Sequence, residues 1–320
     1  MAVDQILEYL RRKQNPVTAE ELCQRFKISR QALWKYVLQL KDLGYGISSV
    51  PHLGYQLLNC PDRLYPAEIQ SGLNTKLIGK AVRYYDHASS TMDLAMQSAS
   101  DKACEGTVVV AETQTSGRGR LGRQWSSPKY KGLYFSVILK PAMGPGEVAS
   151  ITLMSAVSVC EAIGQVSGLE AAIKWPNDIL LGSGKLGGIL TEMNASVERV
   201  NFVVIGIGVN VNNKKETLVD GAASIRERTG STVNRAELLQ EILRQMDLNY
   251  SKFRKNEIGP ILDSWRRSSA TLGKRVKIDM HKRRIEGIAV DIDADGGLLV
   301  RCDSGIIEKI MAGDVLHGIH

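Results

Sequence analysis

Apolar residues recur at helical spacing three times within the first 45 positions. Ile6, Leu7 and Leu10 fall on one face of a first helix, with Asp4 as the expected cap and Asn15-Pro16 as the stop. Thr18 and Glu21 have the spacing of a capping box ahead of Leu22 and Phe26. Ser29 caps a third segment. Its Leu33, Val37 and Leu40 form a core stripe, its other side shows Arg30, Gln31, Trp34 and Lys35, and Gly44 ends it. The period then shortens, and two β-rich runs flanking Pro51 and Gly54 predict a hairpin. Three helices and a hairpin describe a winged helix-turn-helix over residues 1–60. In that motif the N-terminal residues of the second helix of the pair meet bases in the major groove. Arg30, Gln31 and Lys35 suit that task, and Trp34 can lie against the DNA backbone. The competing reading is a small helical protein-interaction module with a solvated polar face. Residues 61–66, between Cys60 and Pro66, lack periodicity and read as a linker.

Strand patterns dominate the next stretch. Thr107–Ala111 predicts a buried strand, Leu133–Leu139 a second, and Val148–Ile163 a core helix. Between the strands lies "TQTSGRGRLGRQW", Thr113 to Trp125. Gly117, Gly119 and Gly122 spell G-x-G-x-x-G, a spelling that binds dinucleotides when a helix opens at the glycines. Here Pro128 and Gly132 intervene and a strand follows, so the context excludes that reading; no G-K-[ST] makes it a P-loop. Arg118, Arg120 and Arg123 supply the alternative. Guanidinium groups offer planar donor forks to carboxylate and phosphate, and glycines admit the ligand close to the backbone. Such a loop can stay mobile while empty and fold around an anion. A basic surface loop that binds RNA is the other possibility.

Lys174-Trp175-Pro176-Asn177-Asp178 places a lysine, an amide and a carboxylate within five residues pinned by a proline, which looks like a site rather than a core. Gly187 and Gly188 follow in "KLGGIL". "RVNFVVIGIGVNVNN" is a β-branched strand interrupted at Gly206 and Gly208, with Asn210 at its polar end; glycine within a strand marks close approach of a ligand or backbone. A helix with Leu238, Ile242, Met246 and Tyr250 in i, i+4 steps begins after Asn234. From Leu272 short strands separated by glycine-rich turns, Asp295-Gly296 among them, predict a small β-barrel.

The remaining bounds are coarse. At 320 residues and 43% hydrophobic, the chain has material for two or three domains. It has no run of eighteen apolar residues, so no membrane span is expected, and Asp4, Glu8, Arg11 and Arg12 exclude a signal peptide. A cytoplasmic location is the expectation. Five scattered cysteines make no C-x-x-C pair, which argues against zinc and disulfides. The net charge of +7 points to an anionic partner.

"GRGRLGRQW", "KWPNDI", "KLGGIL" and "GIGVNVN" occur in this order between a winged helix and a small barrel. On these motifs the chain closely resembles bifunctional bacterial biotin protein ligases, which act as biotin–[acetyl-CoA-carboxylase] ligase and as biotin operon repressor. The resemblance covers essentially all 320 residues. It implies an α+β multidomain protein: a winged helix-turn-helix (1–60), a central α/β mixed-sheet ligase domain like that of class II synthetases (67–270), and an SH3-like barrel (271–320). It also implies two half-reactions. Biotin carboxylate attacks the α-phosphate of ATP to give biotinyl-5′-AMP, and a lysine of the biotin carboxyl carrier protein then displaces AMP.

By motif position, the resemblance places biotin against Ser90, Thr91, Met92, Gln114, Arg118, Gly119, Arg120 and Lys185. Gly188, Leu190 and Gly206 line its pocket. Trp125 stands near the adenine, Arg123, Lys174, Asn177 and Asn210 surround the phosphates, and Asp178 meets Mg²⁺ brought with ATP. Arg118, Arg120 and Lys185 are the expected catalytic cations. Many relatives have asparagine where Met92 stands, and an arginine at the C-terminus where this chain reads "LHGIH". Regulation would follow if biotinyl-5′-AMP orders the Arg118 loop and completes a homodimer that sets two winged helices on palindromic operator DNA. A ligase without regulation, a non-enzymatic sensor and a lipoate-type ligase are the alternatives.

Overall fold

The N-terminal helices form where the apolar stripes lie. In a computed structural model, which describes residues 2–51, 53–280 and 283–317, α1 (Ala2–Arg12), α2 (Ala19–Phe26) and α3 (Arg30–Asp42) bury Ile6, Leu7, Leu10, Leu22, Leu33, Val37 and Leu40 in one core. Thr18 Oγ1 accepts from Glu21 N and Ser29 Oγ from Ala32 N, each at 3.1 Å. Two details differ from the sequence reading. Asp4 sits inside the first turn of α1, where its charge suits the helix dipole, and does not cap it. The carboxylate of Glu21 accepts from Tyr9 Oη at 2.5 Å, a tertiary partner drawing it away from the box. β1 (Gly46–Val50) and β2 (Gly54–Asn59) form the antiparallel hairpin. Gly54, at φ +106°, is needed at its turn, since a Cβ there would lie 2.0 Å from Val17 O.

This first compact unit ends at Ser71, and residues 61–66 belong to it instead of standing free as a linker. Leu64 is buried, Tyr65 and Ala67 pack on the helical core, and α4 (Pro66–Gln70) carries Glu68, which accepts from Tyr45 Oη at 2.7 Å and pairs with Arg11.

The second unit starts at Gly72. It is built on β3 (Val82–Tyr85), β4 (Val108–Ala111), β5 (Gly132–Leu139), β6 (Ala172–Lys174), β7 (Asp178–Leu181), β8 (Gly184–Ala195) and β9 (Val200–Asn210). They lie in the order β3-β4-β5-β9-β8-β7-β6. The β3–β4 pair is parallel and the others are antiparallel, giving the expected mixed sheet. α5 (Thr91–Ser100) covers one face, where Met92, Ala95 and Ala99 meet Val109, Ile138, Phe202 and Val204. α6 (Val148–Ser167) lies on the other, with Thr152 and Thr191 hydroxyls 2.8 Å apart. Among the described residues α6 with its preceding turn is the one segment apolar and long enough to cross a membrane, and packing on the sheet, α8 (Arg235–Phe253) and α9 (Gly259–Arg267) accounts for that character. The short α7 (Ile225–Thr229) precedes α8.

β10 (Arg275–Met280), β11 (Arg283–Ile292), β12 (Leu298–Cys302), β13 (Ile307–Ile310) and β14 (Asp314–His317) make the C-terminal antiparallel SH3-like domain, in the order β13-β12-β11-β10-β14. Within the second unit it touches the central part through Gly296, whose missing side chain admits the backbone of Ala149 and Ser150. Gly318, Ile319 and His320, the tail where relatives carry an arginine, lie outside the described residues.

Candidate active site

Side chains alternate along β9, so Phe202, Val204, Gly206, Gly208 and Asn210 share a face of the sheet. The first two are covered by α5. Beyond the start of that helix the strand turns to glycine, and a cavity of about 860 Å³ opens, within the range of small-molecule sites. Gly208 pairs with Gly188 of β8 and Gly206 with Leu190. These glycines seat large side chains: a Cβ at Gly206 would lie 2.9 Å from Met92 Sδ, and one at Gly208 2.5 Å from Trp125 Nε1.

All the residues proposed for biotin, nucleotide and metal line this cavity. One end is neutral and polar. Gln114 Oε1 accepts from Thr91 N (2.8 Å) and Thr91 Oγ1 (3.2 Å), while its Nε2 donates to Ser127 Oγ at 2.9 Å. Ser136 Oγ donates to Thr91 Oγ1 at 2.9 Å. Ser90 Oγ is buried with no partner among the described residues, a cost that a bound polar ligand would relieve.

The Gly-Arg loop closes over this end as a small hairpin. Gly119 N donates to Arg123 O (2.7 Å) and Trp125 N to Gly117 O (2.8 Å), around a 3₁₀ turn at Arg120–Gly122 with Leu121 and Gly122 at positive φ. Arg118 pairs with Asp93 (3.1 Å) and Glu192 (2.8 Å). Arg120 donates to Asn177 Oδ1 at 2.9 Å and Gly313 O at 3.3 Å, joining the loop to the β6–β7 turn and the C-terminal domain.

The β6–β7 turn contains a cis Trp175-Pro176 bond. Trp175 is an anchor, buried and donating from Nε1 to Gly296 O at 3.1 Å. Asn177 is tied to Ile189 in both directions. Lys185 Nζ lies 2.7 Å from Asp178 and 5.8 Å from the Trp125 ring. Lys174 is half-buried and has no carboxylate partner among the described residues. The cavity therefore pairs a neutral hydrogen-bonding end with a cationic wall of Arg118, Arg120, Arg123, Lys174 and Lys185.

Sequence reasoning missed Ser127, Ser136, Asp93 and Glu192, which serve as partners of named residues, and the segment from Asn213 to Ala222 on the cavity rim. The doubled asparagine after "GVNV" was the one visible signal. In the first unit Arg30, Gln31, Trp34 and Lys35 are all exposed on α3.

Known proteins share this sequence and fold. The chain is 36% identical over 303 residues to the bifunctional ligase/repressor BirA of Bacillus subtilis, covering 93% of each chain. The chain belongs to the biotin protein ligase family. The biotin/lipoate A/B protein ligase family model matches residues 84–210, an HTH domain 3–56, and the biotin protein ligase C-terminal domain 271–318. The bifunctional ligase/repressor BirA of Escherichia coli is 29% identical, with 93% of this chain and 92% of that one aligned. A solved biotin protein ligase from Aquifex aeolicus, in complex with biotin and ATP, superposes with a TM-score of 0.65 at 29% identity. It covers 75% of this chain and all of the other. The family match spans the loop, the β6–β7 turn and the glycine strands together.

Proposed function

We infer that this protein is a biotin–[acetyl-CoA-carboxylase] ligase and a biotin-responsive transcriptional repressor. The observation that carries the ligase reading is the single cavity with a neutral polar end and a cationic wall, closed by the Gly-Arg loop. A biotin carboxylate oxygen attacks the α-phosphorus of ATP, a P–O bond forms, and pyrophosphate leaves. The amine of a carrier lysine then attacks the acyl carbon, an amide forms, and AMP leaves with the bond electrons.

Each step presses anions together, and the cationic wall offsets the repulsion. Ser90, Thr91 and Gln114 hold the ureido head, and Met92, Gly188, Leu190 and Gly206 shape the pocket around the rings. Arg118, Gly119 and Arg120 cover the carboxylate. Lys185 reaches the reacting oxygens once phosphate competes with Asp178 for it; Arg118 likewise exchanges Asp93 and Glu192 for substrate. Fixed donors in a water-poor site stabilise charge developing in the transition state and guard the mixed anhydride from hydrolysis. Trp125 receives the adenine, and Arg123, Lys174, Asn177 and Asn210 flank the phosphates.

Mg²⁺ bound with ATP would supply neutralisation of phosphate charge. Asp178 would be the protein carboxylate to hold it. One carboxylate plus phosphate oxygens suits this ion, and no cluster of three metal-ligating side chains occurs among the described residues.

The α3 face with Arg30, Gln31, Trp34 and Lys35 reads operator DNA. Biotinyl-5′-AMP promotes a homodimer, the carrier is the biotin carboxyl carrier protein of acetyl-CoA carboxylase, and the protein works in the cytoplasm. The deciding experiment incubates wild type and Arg120→Ala with biotin, MgATP and a carrier domain. Wild type should biotinylate the carrier and the variant should be slowed at least tenfold; an unmodified carrier with wild type rejects the reading.

A further inference from the structure

The Gly-Arg loop hangs from two stems. The entry stem, Thr113 to Ser116, runs beside residues 88 and 89: Ala88 N donates to Thr113 O at 3.1 Å, Thr115 N to Ala88 O at 3.0 Å and Ser116 N to Ser89 O at 2.8 Å. The exit stem, Ser127 to Tyr130, is tied to the entry stem by Thr113 Oγ1, which donates to Ser127 O at 2.7 Å, and by the bond from Gln114 Nε2 to Ser127 Oγ. Both stems therefore meet the segment that leads into Ser90 and Thr91, at the neutral end of the cavity.

One carboxylate gathers these pieces. Asp86 follows β3 and stands four residues before Ser90. Its Oδ2 accepts from Lys129 Nζ at 2.6 Å, and its Oδ1 from the hydroxyls of Tyr84 and Tyr130, each at 3.3 Å. His87 Nδ1 lies 2.9 Å from the same carboxylate. The hydrogen bond to Asp86 holds the Lys129 ammonium above its ordinary range, so the pair stays ionised at neutral pH. Lys129 is two residues beyond Ser127, so this ion pair pins the exit stem to the end of β3. Asp86 and Lys129 stand outside the cavity lining, and they act on a ligand held there only through the stems.

We propose that Asp86 is a positioning residue for the biotin end of the site: through Lys129 it pins the exit stem of the Gly-Arg loop and sets how long activated biotin is retained. Without the pin, Ser127 and its bond to Gln114 are free to drift from Ser90 and Thr91, and the loop opens from its base. This rests on the reading that biotin is held at the Ser90 and Gln114 end and is activated as biotinyl-5′-AMP. The cationic wall and the β6–β7 turn lie apart from the pin, so the nucleotide end is insensitive to it.

The test forms the adenylate from labelled biotin and MgATP on the full chain, then follows its release during a chase with unlabelled biotin. Wild type, Asp86→Ala, Lys129→Met, their double variant and Asp86→Glu are compared, with Tm and both KM values measured for each. Asp86→Ala and Lys129→Met should each speed release and raise KM for biotin about three- to tenfold, the worth of a charge-assisted bond discounted for partial exposure, while KM for ATP stays within about twofold. The double variant should lose little more than either single variant, and Asp86→Glu, which keeps the charge, should recover most of the effect. Lys129→Met keeps the stem intact and tests the same bond if Asp86→Ala does not fold. A lowered Tm with unchanged release and unchanged KM for biotin, or equal losses for biotin and ATP, overturns the inference and leaves the ligase reading intact. No labelled adenylate from wild type rejects that reading itself.

Discussion

Trp125 and Gly208 share one space: the indole Nε1 lies 2.5 Å from where a Cβ on Gly208 would stand. The glycine is there because an aromatic ring rests on the strand. Gly208→Ala forces the indole off the floor, since the obstacle is a rigid ring and not the end of a flexible chain. On the proposal that Trp125 receives adenine, KM for ATP should rise about 10- to 100-fold while biotin affinity stays within about twofold. Steady-state kinetics against calorimetry with biotin checks this; equal losses for both ligands would contradict it.

Glu112 and Arg235 form an ion pair at 2.8 Å with both side chains fully buried. Glu112 begins the segment that carries the Gly-Arg loop, and Arg235 also donates to Gly132 O at 3.3 Å, where that segment ends. Removing either partner leaves the other charge stranded. Glu112→Gln or Arg235→Met should each lower stability by about 3–5 kcal/mol, and the double variant should cost less than the sum. Urea unfolding of the four proteins gives the coupling, and additive losses would refute it.

Arg266 of α9 bonds Asp291 of β11 at 2.7 Å. Burial pushes the Asp291 carboxyl upward, but hydrogen bonds from Arg266 and Ile292 N outweigh it and hold it below the ordinary range. A depressed carboxylate stabilises the fold above its unfolded pKa, near 3.9, and that contribution is lost as pH falls through the folded value. Arg266→Leu should therefore lower Tm by about 1–2 °C at pH 7, the scale of a half-exposed pair. The difference should shrink as pH drops from 5 towards 2.5. A gap constant across calorimetric scans in that range would show that the arginine acts by packing alone.

Arg30 and Lys35 stand exposed at the start and middle of α3. Arg30→Ala should weaken operator binding by about 1–3 kcal/mol and relax one base position. Lys35→Ala, if it meets phosphate, should weaken all DNA alike and reduce the salt slope by about one. Anisotropy titrations on operator and scrambled duplexes separate the two roles; carrier biotinylation should be unaffected by either change.

Local patterns determined much of this protein. The α3 stripe of Leu33, Val37 and Leu40, the caps at Thr18 and Ser29, and the glycine-arginine loop between two strands depend on neighbours within a turn or hairpin, so periodicity and turn chemistry expose them. Motif order then placed the cavity residues. Only the tertiary structure decided who meets whom. Glu112 and Arg235 are 123 residues apart in sequence. Asn210, Asn212 and Asn213 look alike in a string, and they part company because Ala223 and Val233, from later segments, bond the first two, while Asn213 Oδ1 has no donor among the described residues. The linker vanished for the same reason: Leu64 is buried, and Glu68 pairs with Arg11 of α1 and with Tyr45 between α3 and β1, partners that no local pattern encodes. Short-range geometry is written in spacing, whereas long-range pairing follows from burial and from the demand that each buried polar group find a partner.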